Sequence, residues 1–174
     1  MPIRILPDPL SLLRPVSKVQ TLTKTRPADT TTYAAGDVIS ESTSAGTVWT
    51  FPFARTNGLG GILQDAALVN STAQTLKMDA DLYLFDTAPT SNLNDNVAFA
   101  PTDAEMKTLL TVISFLGGNG KVGSGNFSNE MTGLARVLQC ASAQSSVFGV
   151  LVARNAYVPT SAEDVTIRLK TIQD

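Results

Sequence analysis

The 174-residue chain contains no histidine, which limits the chemistry that its side chains can perform. Histidine is the commonest general base near neutral pH, the commonest metal ligand and the usual activator of serine and cysteine nucleophiles. Neither a Ser-His-Asp or Cys-His arrangement nor a Cys/His zinc site can therefore form within this chain. The single cysteine, Cys140, allows no internal disulfide and is predicted to be a small core residue.

Two other sets of side chains have spacings that could support chemistry or binding. Asp79 and Asp81 share one face of a predicted strand, as paired catalytic carboxylates do, but solvated strands carry the same pattern. Trp49, Phe51 and Phe53 alternate and could stack on a sugar, although alternating aromatics are more typical of a β-sheet core. We therefore predict solvated carboxylates and buried aromatics, and no catalytic residue.

Two loops resemble ligand-binding motifs. Residues 118–123 match G-x-G-x-x-G after an apolar strand, but no helix pattern follows that could place its N-terminus at a pyrophosphate. Residues 92–96, with nearby Asp86, are rich in the side-chain oxygens that Ca²⁺ prefers, yet they contain few carboxylates and no closing glutamate. We read the first as a flexible exposed loop and the second as turns. The sequence predicts no cofactor and no metal site.

The elements that must position these residues are predicted to be almost entirely β. Residues 75–85 alternate between apolar and polar side chains, which indicates a strand with one wet face, and Phe85 is expected to reach a second contact. One short helix is expected from Thr102 to about Leu109, because Thr102 and Glu105 form a capping box after Pro101. Further strands are predicted at 19–24, 38–39, 47–51, 61–69, 109–115, 134–140, 147–153 and 165–172. Short strands with polar turns favour a two-sheet β-sandwich, jelly-roll-like in type.

The N-terminal residues differ from this pattern. Four prolines in the first fifteen residues exclude a central strand or a regular helix, so residues 1–27 are predicted to be an extended basic arm on a 28–174 sandwich domain. Residues 1–26 carry a net charge of +4, against −6 for the remainder. The arm has neither base-stacking aromatics nor a dense Lys/Arg block, so we expect a protein partner and no nucleic acid.

The arm supplies the predicted partner-binding residues. Six aliphatic side chains are too many for a solvated tail, and they are expected to lie in a groove on the body, on a neighbouring subunit or on a partner. The predicted contacts are the anchors Ile3, Ile5, Leu6, Leu10, Leu12 and Leu13, with Arg4 and Arg14 supplying charge.

Nothing in the sequence indicates a membrane protein. No apolar run approaches the ~18 residues of a membrane span, and residues 1–7 lack the long apolar core of a signal peptide. The chain is expected to function in a cytoplasm or on a particle assembled there.

Several segments resemble the auxiliary head proteins of tailed bacteriophages, which decorate or cement assembled capsids. The most informative segment is Tyr33–Ile39, read as an extended stretch, a turn at Gly36-Asp37 and the start of a strand. The similarity continues through residues 81–86, 89–90, 95–96, 103, 148–152, 156–159 and 165–169. It covers roughly residues 30–174 and excludes the arm.

This resemblance implies a jelly-roll-like domain that forms homo-oligomers, often trimers, on the outside of an icosahedral capsid assembled in the host cytoplasm. Its task would be non-enzymatic: to bridge subunits of the major capsid protein and resist the pressure of packaged DNA. The alternative that the sequence leaves open is a carbohydrate-binding or adhesin module of a phage tail or fibre. That alternative requires an exposed aromatic platform.

Overall fold

A computed structural model describes residues 15–72 and 77–173. Within these residues the chain forms ten strands and one short α-helix, in agreement with the predicted all-β class. The strands are β1 Val16–Thr25, β2 Trp49–Pro52, β3 Gly60–Asn70, β4 Ala80–Phe85, β5 Leu109–Phe115, β6 Lys121–Val122, β7 Phe127–Met131, β8 Arg136–Gln139, β9 Ser146–Ala153 and β10 Asp164–Gln173; the helix, α1, is Asp103–Met106.

The strands form two antiparallel sheets with the topology of a jelly roll. The larger sheet has the order β1-β10-β3-β7-β6, with β8 pairing the first half of β3 beside β7, and the smaller has the order β2-β9-β4-β5. Apart from the β4–β5 hairpin and the short β6–β8 region, successive strands alternate between the two sheets. This crossing pattern defines the jelly-roll sandwich, and the predicted two-sheet architecture is confirmed.

The main core lies between the sheets and follows the period-2 alternation of the strands. In β10, Val165, Ile167 and Leu169 are buried, while Thr166 and Arg168 face the outside. Burial of each such aliphatic side chain stabilises the fold by about 1.5–3 kcal/mol. The core also contains Cys140, as predicted, and burial raises the pKa of its thiol.

A second, smaller core covers the outer face of the four-stranded sheet. Val38 and Leu93, from two long connections, pack there with Phe85, Val150 and Val152. Both faces of β9 are therefore covered, which explains why its sequence is almost continuously apolar. The second contact expected of Phe85 is confirmed.

The connection through residues 33–39 reaches this outer core by a tight turn. Gly36 has φ +98°, a conformation that favours glycine, and the amide of Asp37 donates to the carbonyl of Ala34 at 3.2 Å. The predicted turn is thus present, but the strand predicted at 38–39 is not. Val38 makes only an isolated bridge with Val152. The Ile39 amide donates to the Leu151 carbonyl and the Ala153 amide donates to the Asp37 carbonyl, so the segment lies along the edge of β9 beyond β2, but this pairing is too short to form a strand.

The structure differs from the sequence prediction at three further places. The strand predicted at 75–85 begins only at Ala80, where its pairing with β5 and β9 begins, and the Asp79 amide donates to the Asn155 side chain; residues 75 and 76 lie outside the described residues. The helix has its predicted capping box but ends at Met106, because β5 begins at Leu109. β6 lies within the stretch predicted to be a flexible glycine-rich loop, and β7 follows it in a segment for which no element was predicted.

Candidate functional site

The predicted partner-binding residues, Ile3 to Arg14, lie outside the described residues. The strand that follows them is described, and it belongs to the body. β1 pairs along its whole length with β10, from Val16 opposite Gln173 to Thr25 opposite Asp164. Within the predicted arm of residues 1–27, the segment from residue 16 onward is therefore an edge strand of the sandwich. The body begins before residue 28 because the Val/Thr-rich sequence of β1 completes the larger sheet.

β1 ends in a buried polar cluster, which we define as Arg26, Tyr33, Asn70, Asp95, Tyr157 and Glu163. Arg26 Nη2 lies 2.9 Å from Asp95 Oδ2, and both side chains are 1% exposed. Asp95 Oδ1 accepts hydrogen bonds from Tyr33 Oη at 2.5 Å and from the Ser40 amide at 2.8 Å. Arg26 also donates through Nε to Tyr33 Oη. Asp95, one of the oxygen-rich loop residues, is thus an internal acceptor and not part of an open cation site.

The second half of the buried polar cluster is centred on Tyr157. Its hydroxyl donates to the carboxylate of Glu163, with oxygen separations of 2.7 and 2.9 Å, and accepts from Asn70 Nδ2 at 3.0 Å. The rings of Tyr33 and Tyr157 stack with centroids 6.3 Å apart, and their backbones form an antiparallel bridge. The cluster therefore joins the end of β1, the end of β3 and three connecting loops.

Burial explains the electrostatics of this cluster. Burial, followed by the hydrogen bond to Asp95, raises the pKa of Tyr33, and burial with the bond to Glu163 raises that of Tyr157. Both phenols consequently stay protonated as donors over the physiological pH range. All six side chains are almost fully buried, so the cluster supports the fold and offers no surface to a substrate.

The other candidate residues also have structural partners. Asp79 accepts a hydrogen bond from the Gly117 amide, while Asp81 pairs with Arg154 at 3.0 Å and Ser114 at 2.6 Å. Trp49, Phe51 and Phe53 are 2%, 0% and 0% exposed, so the predicted core placement is confirmed and these rings form no sugar platform.

The structure also gives the local conformation of the two loop candidates. The stretch at 118–123 continues from a single 3₁₀ turn into the strand β6 instead of a helix, as expected for a chance match to the dinucleotide motif. Within residues 15–72 and 77–173, no three metal-ligating side chains cluster.

The outer face of the larger sheet is charged in the middle of its strands and aliphatic near the start of β1. Its central rows carry charge, with Lys170 Nζ 3.2 Å from Asp65 Oδ2. Next to the start of β1, however, Ile172, Ile62 and Val137 stand opposite one another on β10, β3 and β8. We call these three residues the aliphatic row.

The aliphatic row borders a groove of about 400 Å³, formed by residues 58–62 and 137–139. Val137 is 79% exposed and Leu59 is 43% exposed. Among the residues that the structure describes, no charged side chain lines the groove. Because an exposed apolar patch is typical of an interaction surface, this is the candidate interface of the described body.

Sequence analysis missed the aliphatic row, although β10 contains a signal for it. The buried positions of β10 change from Val165, Ile167 and Leu169 to Thr171 and Gln173, while the outward position changes from Lys170 to Ile172. The apolar side chains therefore move from the inner to the outer face at the end of the strand. Continuing the alternation to the C-terminus would have placed Ile172 outside.

Neither a membrane-spanning helix in the described part of the chain nor a related protein adds to these geometric observations. No helix among the described residues is both long and apolar enough to cross a membrane. A scan against protein-family models and a search of curated proteins found no match to this chain.

Proposed function

We propose that this protein is a structural virion component that binds the outside of a bacteriophage capsid and stabilises contacts between major capsid protein subunits. The observation that carries the proposal is a jelly-roll body whose edge strand continues directly from a basic, aliphatic arm. Jelly rolls occur widely in viral capsid and lectin domains, so the fold is compatible with the role without specifying it. The resemblance of residues 30–174 to auxiliary head proteins supplies the specific partner.

The proposed role is non-enzymatic, and the candidate chemistry of the body supports it. Asp79 and Asp81 bond to neighbouring groups of the fold, and the side chains of the buried polar cluster bond to one another, with only Arg26 Nη1 left without a hydrogen-bond partner among the cluster's described atoms. Binding would instead use Ile3 to Leu13 as apolar anchors, with Arg4 and Arg14 complementing acidic groups on the shell. A tethered arm gains effective concentration once its body has docked, so weak contacts can act together over a shell. We propose trimers as the assembled form, from the same resemblance.

Nothing in the described body favours the alternative of a carbohydrate-binding or adhesin module. That function needs an exposed aromatic platform, and the sequence candidates for it are inside the core. We expect the emission of Trp49, the only tryptophan, to be blue-shifted and resistant to acrylamide quenching. Red-shifted, readily quenched emission from folded protein would revive the alternative.

Co-sedimentation with empty heads tests the proposal. Full-length protein should bind saturably, and protein lacking residues 2–14 should bind at least tenfold more weakly, which corresponds to about 1.4 kcal/mol. The deletion stops at 14 because a longer one would remove β1. Circular dichroism verifies that both proteins are folded. If neither folded protein binds the heads, the decoration function is wrong.

A further inference from the structure

We propose that the aliphatic row and its groove hold the root of the N-terminal arm of the same chain, residues Leu10–Leu13. The first reason is proximity. β1 and β10 pair with Ser17 opposite Ile172, and Ile172 stands opposite Ile62, which stands opposite Val137. The row therefore begins beside the point where the arm joins β1, and it leads away from β1 towards the groove.

The second reason is reach. Adjacent strands lie about 4.8 Å apart, so the path from β1 across β10 and β3 to β8 is about 14 Å. Five extended residues span about 16 Å, so residues 10–14 are long enough to cross the row. Pro15 favours an extended conformation at residue 14, which suits a segment that lies along a surface.

The third reason is chemical complementarity. The groove is uncharged and lined by four aliphatic residues, three glycines and one polar residue, Gln139, and residues 10–13 are three leucines and a serine. The glycines leave the groove floor without side chains. By contrast, the charged rows nearer the middle of the sheet, such as Lys170 with Asp65, would not accept leucine side chains.

The choice of the chain's own arm over a neighbouring copy's arm follows from tethering. A short tether gives an effective concentration of about millimolar, which exceeds the concentration of free protein in most preparations. Docking of the root would restrict the shell-binding residues proposed above, Ile3 to Arg14, to Ile3–Leu6 with Arg4. This last division of the arm rests on the proposed function, whereas the docking itself does not.

Engineered disulfides test the docking on full-length protein without capsids. Cysteine is introduced at position 137 and, in separate variants, at position 10, 12 or 13; native Cys140 is buried and remains. A disulfide requires Cβ atoms about 3.5–4.5 Å apart, so it reports close approach. The matched control uses V122C with the same arm cysteines, because Val122 is an exposed valine at the opposite end of the same sheet.

We expect at least one pair with position 137 to form an intrachain disulfide at least tenfold faster than the matching pair with position 122, as judged by non-reducing electrophoresis and peptide mass mapping. Disulfide-linked dimers would overturn the proposal, because a second copy's arm would then occupy the groove. Equal rates for the two positions would also overturn it. Neither result bears on capsid binding, which the co-sedimentation experiment measures separately.

V137D provides a second readout that needs no cysteine. A charge in the groove should increase amide hydrogen exchange at residues 10–13 by at least fivefold, while V122D should leave it unchanged. Because Val137 is 79% exposed, the body of V137D is expected to remain folded. Unchanged exchange at residues 10–13 in folded V137D would contradict the proposal.

Discussion

At the scale of single residues, Asp95 has the largest predicted effect on stability. Among the described residues it is the only carboxylate within 3 Å of the buried Arg26 guanidinium, and its other oxygen accepts from Tyr33 and the Ser40 amide. In D95N the Arg26 charge would stay buried without its counter-ion, so we expect a loss of about 3–5 kcal/mol in the free energy of unfolding. Urea denaturation followed by circular dichroism measures this loss.

The matched control changes a second aspartate near the same arginine. Asp29 lies 3.6 Å from Arg26 Nη2 and is 36% exposed. D29N should therefore cost less than about 1 kcal/mol, because water screens the charge at that position. Equal effects of D29N and D95N would show that burial does not determine the strength of these interactions.

Glu105 is the second residue with an unusually dense set of contacts. Its carboxylate accepts from the amides of Thr90, Ser91 and Thr102 at 2.5, 2.8 and 2.7 Å, and from all three hydroxyls. The bond from the Thr102 amide is the main cause that lowers the pKa of Glu105 well below its ordinary value of 4.5, and the bonds from Ser91 and Thr90 reinforce it. Ionised Glu105 therefore holds the 90–91 loop against α1.

The pH dependence of this contribution follows from the direction of the shift. A carboxyl whose pKa is lower in the folded state stabilises the fold above its unfolded pKa, and this stabilisation is lost as the pH falls towards the folded pKa. We expect E105Q to have a lower melting temperature than wild type at pH 7, and the difference to shrink as the pH falls below about 4.5. D103N, on the same helix turn, is the control. A difference that does not vary with pH would refute the role of the charge.

At the scale of secondary-structure elements, close backbone approach at the start of β3 depends on glycine. A methyl group at Gly61 would overlap the main-chain oxygen of Ile172, whereas one at Gly118 would meet nothing within 4 Å. Because Ile172 lies in a paired strand, it cannot move away without disturbing the sheet. We expect G61A to lower the free energy of unfolding by about 1–3 kcal/mol and G118A to change it by less than about 0.5 kcal/mol. Thermal denaturation of both variants measures the difference.

The element scale also explains why β1 can remain an edge strand. It is ten residues long and, within the described part of the chain, pairs on one side only, a geometry that invites pairing with other chains. Lys18 and Lys24 lie on this edge, and charged residues are a common means of discouraging edge-to-edge association. Lys24 is additionally held by Glu41, at 2.7 Å, next to the Trp49 ring.

At the scale of the whole molecule, two truncations distinguish an arm from a body. Removal of residues 2–14 should preserve a single cooperative unfolding transition, because β1 and the buried polar cluster stay intact. Removal of residues 2–26 should abolish it, since this deletes β1 and also Arg26, leaving the Asp95 carboxylate without its cation. Calorimetry distinguishes these outcomes. A cooperative transition in the protein that lacks residues 2–26 would instead support the predicted boundary between arm and body after residue 27.

Local sequence patterns determined much of this fold. Runs rich in β-forming residues located the main strands, including Leu109–Phe115 with the bounds it has in the structure. The capping box located α1, since its hydrogen bonds join residues only three positions apart. The absence of histidine is likewise a property of composition alone, and it limits the possible chemistry whatever the fold.

Tertiary structure decided the remaining features, because they depend on residues far apart in sequence. β7 forms by pairing with β3, β6 forms by pairing with β7, and β1 is fixed to the body by its partner β10. Arg26 and Asp95 are 69 positions apart, and no local pattern reveals that they form one buried pair. The aliphatic row likewise exists only through the register of three strands. The sequence by itself determined the class of fold and the composition of the arm, whereas pairing and packing decided where the body begins and which surface it presents.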